Sequence, residues 1–421
     1  CRILIFFLQS DIMLRDEQRR SQTAFHKAAW GRLFLYVFFR ARTAALPGTG
    51  GNAMEQPIYL LLENGEWFEG KSFGAQPANS GISGEVVFTT AMTGYLETLT
   101  DPSYCGQIVV QTFPLIGNYG IIPEDFESRH PRLAAYVVKE WCRVPSNFRN
   151  EGDLDAFLKG KGIPGLYGID TRALTRRLRD HGSMNGLLTL TPPPYSEETI
   201  QALRNTRPEP PVPLVTRREP ERFGEGETHI VLWDFGAKQN LIRELVRRGC
   251  RVTAVPSFFT AEQILALHPQ GVLLSNGPGD PADNTAVIQE TARLFAAKIP
   301  MMGVCLGHQL MALSRGAQTE KLAFGHRGAN QPVKDNETGR VSITSQNHGY
   351  TVRPDSLPDC ASLRFLNCND GTCEGIVYRD APAFSVQFHP EACAGPHDTA
   401  YLFDDFLKLV HHSESEGFSC R

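Results

Sequence analysis

A cysteine, a histidine and a glutamate are the residues of this chain whose types and spacing suit covalent chemistry. The run Gly303-Val304-Cys305-Leu306-Gly307 follows the apolar stretch Pro300-Met301-Met302 and leads into helix-forming residues. G-x-C-x-G in that setting has the mechanics of a nucleophile elbow, because the flanking glycines let backbone pass close to a strained strand-to-helix turn that projects the central residue. A helix N-terminus there favours a thiolate and offers backbone N–H groups to an oxyanion. Most cysteines are merely small buried hydrophobes, so Cys305 needs a base before it counts as a nucleophile. Ser385-Val386-Gln387-Phe388-His389-Pro390-Glu391 supplies one: an alternating strand runs into His-Pro-Glu. Two-residue spacing sets His389 and Glu391 on one side of the strand end, where the carboxylate can orient the imidazole while the other ring nitrogen faces the thiol.

These groups need a sheet whose strand ends gather at one edge. From 228 onward, apolar runs at 230–232, 252–255 and 271–274 alternate with amphipathic stretches at 241–246 and 264–267. This predicts an α/β domain, a doubly wound, mostly parallel sheet with helices on both faces. Leu273-Leu274-Ser275-Asn276-Gly277-Pro278-Gly279-Asp280-Pro281 reads as a strand ending in a loop beside the elbow, where Gly277 and Gly279 allow a ligand close approach to main-chain N–H groups. Gln346-Asn347-His348-Gly349-Tyr350 reads as a further polar loop near a strand end.

Before that domain, Ile58–Leu62, an Asn64-Gly65 turn and Trp67-Phe68 spell a hairpin, and strand-like runs follow at 86–88, 108–110 and 134–138, with a helix near 171–179. Residues 54–190 are expected to form a smaller, mixed, β-rich N-terminal domain. Residues 191–227 contain eight of the 28 prolines and read as an extended linker. The expected division is 1–53 extension, 54–190, linker 191–227, 228–412 and a tail 413–421. The head reads as an upstream translated segment, an extension or a targeting peptide, with Met54 as the expected start.

A length of 421 residues suits two or three domains, and 41% hydrophobic with 21% charged residues is an ordinary globular composition. A net charge of −4 provides no basic field for nucleic acid. No apolar run in the head approaches the ~20 residues that cross a bilayer, so no membrane is expected. Ten scattered cysteines without a C-x-x-C pair spell neither a disulfide framework nor a zinc ribbon, which suggests a reducing, cytoplasmic compartment. No metal site is expected, since His308, His326, His348 and His397 form no pair with a carboxylate or thiol at ligand spacing. No phosphate loop occurs either.

Gly303 to Gln309 (GVCLGHQ), Ser275 to Pro281 (SNGPGDP) and Phe388 to Glu391 (FHPE) resemble the class I, triad-type glutamine amidotransferases. The resemblance implies that Cys305 attacks the side-chain amide of L-glutamine to give a thioester and ammonia, with His389 as acid and base and Glu391 orienting it. It implies an oxyanion held by backbone N–H groups near Gly277 to Gly279 and at Leu306, with Gln309 helping to fix the substrate. Phe88 to Tyr95, Leu99 to Tyr104, Asn118 to Gly120 and Trp233 to Lys238 resemble, more narrowly, the small, glutamine-hydrolysing subunit of carbamoyl-phosphate synthase. In that family the serine matching Ser103 reaches the glutamine site, and the stretch matching Asn347, Gly349 and Tyr350 lines it; Tyr350 stands where phenylalanine is more usual. The resemblance implies a separate large subunit that uses ATP, Mg and bicarbonate, receives the ammonia through a tunnel and serves arginine and pyrimidine synthesis. This chain is expected to hold no cofactor of its own.

Two other readings compete. A glutaminase of the anthranilate or GMP type shares the triad but lacks the 54–190 domain. An inactive relative that only binds glutamine and regulates a partner has no need of Cys305, His389 and Glu391 together.

Overall fold

The computed structural model describes residues 56–392 and 394–415. The basic head and residues 416–421 of the expected tail lie outside the described residues. Seven strands close a barrel in the order β1 (Pro57–Leu62), β2 (Trp67–Gly74), β8 (Pro164–Tyr167), β6 (Ala135–Val138), β4 (Ile108–Gln111), β3 (Ile82–Thr89) and β9 (Met184–Thr189). β5 (Leu115–Ile116) and β7 (Glu140–Trp141) pair separately. The Asn64-Gly65 turn joins β1 to β2 as its residue types require, with Gly65 at φ 90° and Leu61 opposite Trp67.

Alternation along the barrel strands sorts their side chains into two clusters. Ile58, Leu60, Leu62, Val86, Ile108, Val110 and Val137 pack together with Leu174 and Leu178 of the helix Thr171–His181. Val87, Val109, Tyr136 and Val138 pack instead on Tyr95, Leu96 and Leu99 of α1 (Tyr95–Thr100) and on Leu154 and Leu158 of α2 (Leu154–Lys161). The helix Thr171–His181 is α3.

The second sheet has ten strands, in the order β10 (Glu221–Phe223), β12 (Cys250–Pro256), β11 (Thr228–Asp234), β13 (Gly271–Leu274), β14 (Met301–Val304), β19 (Ala383–Val386), β18 (Cys373–Tyr378), β17 (Ala361–Asn367), β15 (Thr319–Asp335) and β16 (Val341–Val352). The pairings among β12, β11, β13, β14 and β19 are parallel, but those that add β10, β18, β17, β15 and β16 are antiparallel. The expectation of a mostly parallel sheet is therefore corrected to a parallel centre with long antiparallel flanks. Connection length decides this: a returning helix allows parallel strands, whereas the short turns at 336–340, 368–372 and 379–382 allow only hairpins. Apolar runs alone do not show which connection follows.

Helices cover both faces of the parallel centre. Val231 and Trp233 pack with α7 (Ala261–Leu265), α8 (Thr285–Ala296) and α9 (Leu306–Ser314), while Ile230 and Leu232 pack with α6 (Gln239–Arg247) and α10 (Tyr401–Ser415). Among the described residues no helix is long and apolar enough to cross a membrane.

Two further expectations change. Residues 191–227 are not simply extended: they hold α4 (Glu197–Arg204), α5 (Val212–Val215) and the edge strand β10. Ser196 caps α4, Val212 is buried, Thr216 Oγ1 donates to Asp234 O at 2.6 Å, and Arg217 pairs with the Asp234 carboxylate at 2.8 Å. Prolines break long elements but do not prevent such short ones from docking. Residues 346–350, read as a loop, lie inside β16, where Asn347 and His348 pair with Arg327 and His326 of β15 across an irregular register.

The β15/β16 hairpin also grips the barrel. Lys321 pairs with Glu85 at 2.7 Å, Ser183 N donates to Ala323 O at 2.7 Å, and Phe324 stacks on Phe88.

Candidate active site

Cys305 sits between the end of β14 and the start of α9 with φ 54° and ψ −106°, a conformation that costs a non-glycine residue energy and occurs at nucleophile elbows. Close packing explains the flanking glycines. A Cβ on Gly303 would lie 2.6 Å from Met311 Sδ, and one on Gly307 would lie 2.3 Å from Leu274 O. Cys305 N donates to Val386 O at 2.9 Å, which ties the elbow to β19, the strand that leads to the histidine.

His389 Nδ1 lies 2.7 Å from Glu391 Oε1, and both residues are about 1% exposed. Its Nε2 is buried without a conventional hydrogen bond and faces the Cys305 thiol. Burial and the Lys238 ammonium push the imidazole down, but Glu391 and the thiol outweigh them and raise its pKa to about 9. Burial likewise works against the Glu391 charge, yet His389 and Lys238 hold its carboxyl below the ordinary value. The ring is thus oriented, charged near neutral pH and aimed at a nucleophile.

The other expected residues converge on the same place. Ser103 lies in a turn of the barrel domain, and its hydroxyl accepts from Asn276 Nδ2 at 3.0 Å in the loop after β13. Gly277 packs so closely that a Cβ would meet Phe235 O at 2.4 Å and Leu306 Cδ2 at 2.7 Å, which sets the 277–279 loop against the first residue of α9. Gly279 has φ 91° and abuts Pro211. Asn347 O is 3.7 Å from Cys305 Sγ, and its side chain donates to Asp101 Oδ2 at 2.9 Å. Gln309 Nε2 donates to Tyr350 O at 2.8 Å and Gln387 Oε1 at 2.9 Å, so this amide also fixes β16. Gly349 lies against Arg327, where a Cβ would be 3.4 Å from a guanidinium nitrogen. Burial and the Asp280 carboxylate keep the proton on the Tyr350 hydroxyl, a contact that phenylalanine does not offer. His308, by contrast, is a core residue: burial pushes its pKa down to about 3 and Nδ1 bonds Ser385 Oγ.

Sequence spacing gives no sign of a buried charge cluster behind the triad. Lys238 Nζ lies 3.5 Å from Asp101 Oδ2 and 3.6 Å from Glu391 Oε1, joining the barrel domain to the triad carboxylate. Burial disfavours its charge, but these carboxylates hold the proton on. Asp101 is held below the ordinary range: burial opposes its charge, and Lys238 and His389 outweigh that. Glu127, beside them, is pushed up to about 8 by burial.

Asn240 closes a second link. Its backbone N–H donates to Glu127 Oε2 at 3.0 Å, and its side chain donates to the Glu391 carbonyl. Asn240→Ala leaves that buried carbonyl without its donor, an expected loss of about 1–3 kcal/mol of stability. The same change frees Glu391 to drift from His389, for which a fall in glutaminase kcat of roughly 10–100-fold is expected. Thermal denaturation beside steady-state kinetics checks both; a lowered Tm with unchanged kcat would confine the contact to stability.

A polar cavity of about 50 Å³ adjoins this cluster, lined by Thr93, Glu97, Asp101, Lys238 and Asn347 among others. Burial pushes Glu97 there up to about 7.

Residues 231–409 match the class-I glutamine amidotransferase model, and residues 60–188 match the carbamoyl-phosphate synthase small chain, CPSase domain. The carbamoyl phosphate synthase pyrimidine-specific small chain of Halalkalibacterium halodurans is 50% identical over 362 residues, covering 86% of this chain and 99% of that protein. The small chains of Bacillus caldolyticus and Fusobacterium nucleatum are 50% and 51% identical, covering 85% and 84% of this chain and 98% of each relative. With both domains matched in order and the relatives covered almost end to end, this chain belongs to the carbamoyl-phosphate synthase small-chain family.

Proposed function

We propose that this chain hydrolyses L-glutamine and delivers the ammonia to a carbamoyl-phosphate synthase large subunit. The observation that carries the reading is the buried His389–Glu391 pair at 2.7 Å, facing a cysteine held at positive φ. Cys305 sulfur attacks the glutamine side-chain carbonyl carbon, and backbone N–H groups at Leu306 and the Gly277–Gly279 loop stabilise the oxyanion. The C–N bond breaks as His389 gives its proton to the departing nitrogen, leaving a glutamyl thioester and ammonia. Water, activated by the now neutral imidazole, then cleaves the thioester to glutamate and restores the thiol. Glu391 keeps the ring in register throughout. Ser103, Gln309, Asn347, Gly349 and Tyr350 surround the substrate.

Ammonia leaves through the cavity lined by Thr93, Glu97 and Asp101, which has room for a molecule the size of water. The large subunit supplies the ATP and Mg chemistry on bicarbonate, so this chain needs no cofactor for its own step. The assembly serves arginine or pyrimidine synthesis in the cytoplasm.

The test is glutamine hydrolysis by the purified chain, alone and with a carbamoyl-phosphate synthase large subunit, MgATP and bicarbonate. A weak basal rate that rises strongly on addition, with carbamoyl phosphate formed, is expected. An unchanged rate would remove the partner, and no hydrolysis in either state would leave only glutamine binding.

A further inference from the structure

The β15/β16 hairpin gathers a second group of chemically capable side chains on the strand that carries Asn347. His326 and His348 are direct partners across the hairpin, their rings 5.0 Å apart and edge to face. Glu374 of β18 joins them. All three are buried, and one ligand atom from each lies within 4.8 Å of the others. Sequence spacing hides this group, because its members meet through strand pairing.

We propose that His326, His348 and Glu374, with the Gln346 side-chain oxygen, form a binding site for a divalent metal ion of the zinc class.

The outer partners of the two rings carry the argument. His326 Nε2 lies 2.8 Å from Asp370 Oδ2, and His348 Nδ1 lies 2.8 Å from Tyr350 O. A carboxylate and a carbonyl only accept, so the ring hydrogens sit on those outer nitrogens. In neutral imidazoles the inner nitrogens, His326 Nδ1 and His348 Nε2, then present lone pairs to one small space. Acceptor atoms already fill its rim. Gln346 Oε1 is 2.9 Å from His326 Nδ1 and 3.2 Å from His348 Nε2; Glu374 Oε1 is 3.6 Å from His326 Nδ1; Glu374 Oε2 is buried without a partner. The donors reaching these atoms are distant: Asn367 Nδ2 at 3.3 Å from Glu374 Oε1 and 3.4 Å from His326 Nδ1, and the Thr372 hydroxyl at 3.3 Å from Glu374 Oε1.

Lone pairs facing one another at these distances repel unless a cation lies between them. Histidines that bind metals hold their outer N–H on a carboxylate or carbonyl in this way, which fixes the tautomer and aims the other nitrogen inward. Four ligands about 2.0–2.1 Å from a tetrahedral ion stand roughly 3.3 Å from each other; the separations of 2.9, 3.2 and 3.6 Å lie on either side of that value, while the spread of up to 4.8 Å among His326, His348 and Glu374 must close by about half an ångström or more for one ion to reach all three. Two imidazoles with a carboxylate and an amide oxygen suit zinc rather than magnesium or calcium, which take all-oxygen shells. An ion there would brace β16 where Asn347 O faces Cys305 Sγ and Tyr350 O receives Gln309.

A proton offers the competing arrangement, with His326 charged between Asp370 and Glu374 and the Gln346 amide turned over to donate to His348. The full chain, stripped with EDTA and titrated with Zn²⁺ or Co²⁺, separates the two. The expected result is one equivalent of metal by elemental analysis. The Co²⁺ form should show the intense visible bands of tetrahedral coordination without the near-ultraviolet band that cysteine ligation adds. Glu374→Gln should weaken binding at least about 100-fold, and Asp370→Asn, which loosens the outer partner of His326, roughly 10–100-fold. If the variants do not fold, the wild-type Co²⁺ titration still decides. No binding at micromolar metal, an octahedral spectrum, or affinities that both variants leave unchanged would overturn the proposal in favour of the proton.

Discussion

Cys305→Ser protein folds, hydrolyses glutamine at least about 10³-fold more slowly than the parent chain, and still supports carbamoyl phosphate formation from free ammonia with the large subunit. Oxygen replaces sulfur almost without change of shape, so the packing around a residue only 2% exposed survives. What is lost is the reacting pair. A thiol is a far stronger acid and nucleophile than an aliphatic hydroxyl, which reacts only if a neutral base removes its proton. Here the base is already charged near neutrality, with a pKa raised to about 9. Serine removes the thiol's share of that rise but not the share from Glu391, so its hydroxyl faces a ring that the carboxylate still biases toward the imidazolium, a poor acceptor for its proton. Ammonia release, thermal unfolding and ammonia-dependent synthesis measure the three parts separately. A rate within tenfold of the parent would place the nucleophile elsewhere, and loss of ammonia-dependent synthesis would mean that the substitution damages docking rather than chemistry.

The triad is legible in sequence because each half carries its own local reason. Gly303 and Gly307 are needed where helix and strand nearly touch, and the two-residue step from His389 to Glu391 is what a strand end requires. The parallel centre is legible for the same reason, since apolar strands alternate with amphipathic helices. The antiparallel flanks are not, because β15 to β18 depend on turn lengths and irregular pairing rather than on composition. Residues 346–350 look like a loop by residue type, yet pairing to β15 holds them in a strand. The Asp101–Lys238–Glu391 cluster is invisible for a different reason: its members come from two domains and three elements, and only docking of the barrel on the sheet brings them within 3.6 Å. His326, His348 and Glu374 are hidden in the same way. Local rules locate a nucleophile and its base, but the buried charges that tune them are long-range facts.

Charge tuning makes the pH profile the sharpest test of Glu391. The His389 proton must be present to protonate the departing nitrogen, and its pKa is raised to about 9. Activity therefore persists up to that pH and falls as pH rises through it, because the free enzyme loses the acid. Glu391→Gln removes the carboxylate that outweighs burial and Lys238, so the alkaline limb of kcat/KM must move to lower pH. An amide can also donate to Nδ1, which places the ring hydrogen on the nitrogen facing sulfur and removes the base; a loss of about 10³–10⁴-fold in kcat is expected. Lys238→Met should displace the limb in the opposite direction. Its ammonium lies 3.6 Å from Glu391 Oε1 and lowers the His389 proton affinity, so without it the imidazolium survives to higher pH. Steady-state profiles from roughly pH 6 to 10 for the parent and both variants separate the effects. Opposite displacements follow if Glu391 holds the His389 proton on while Lys238 repels it, and displacements of the same sign would break that assignment.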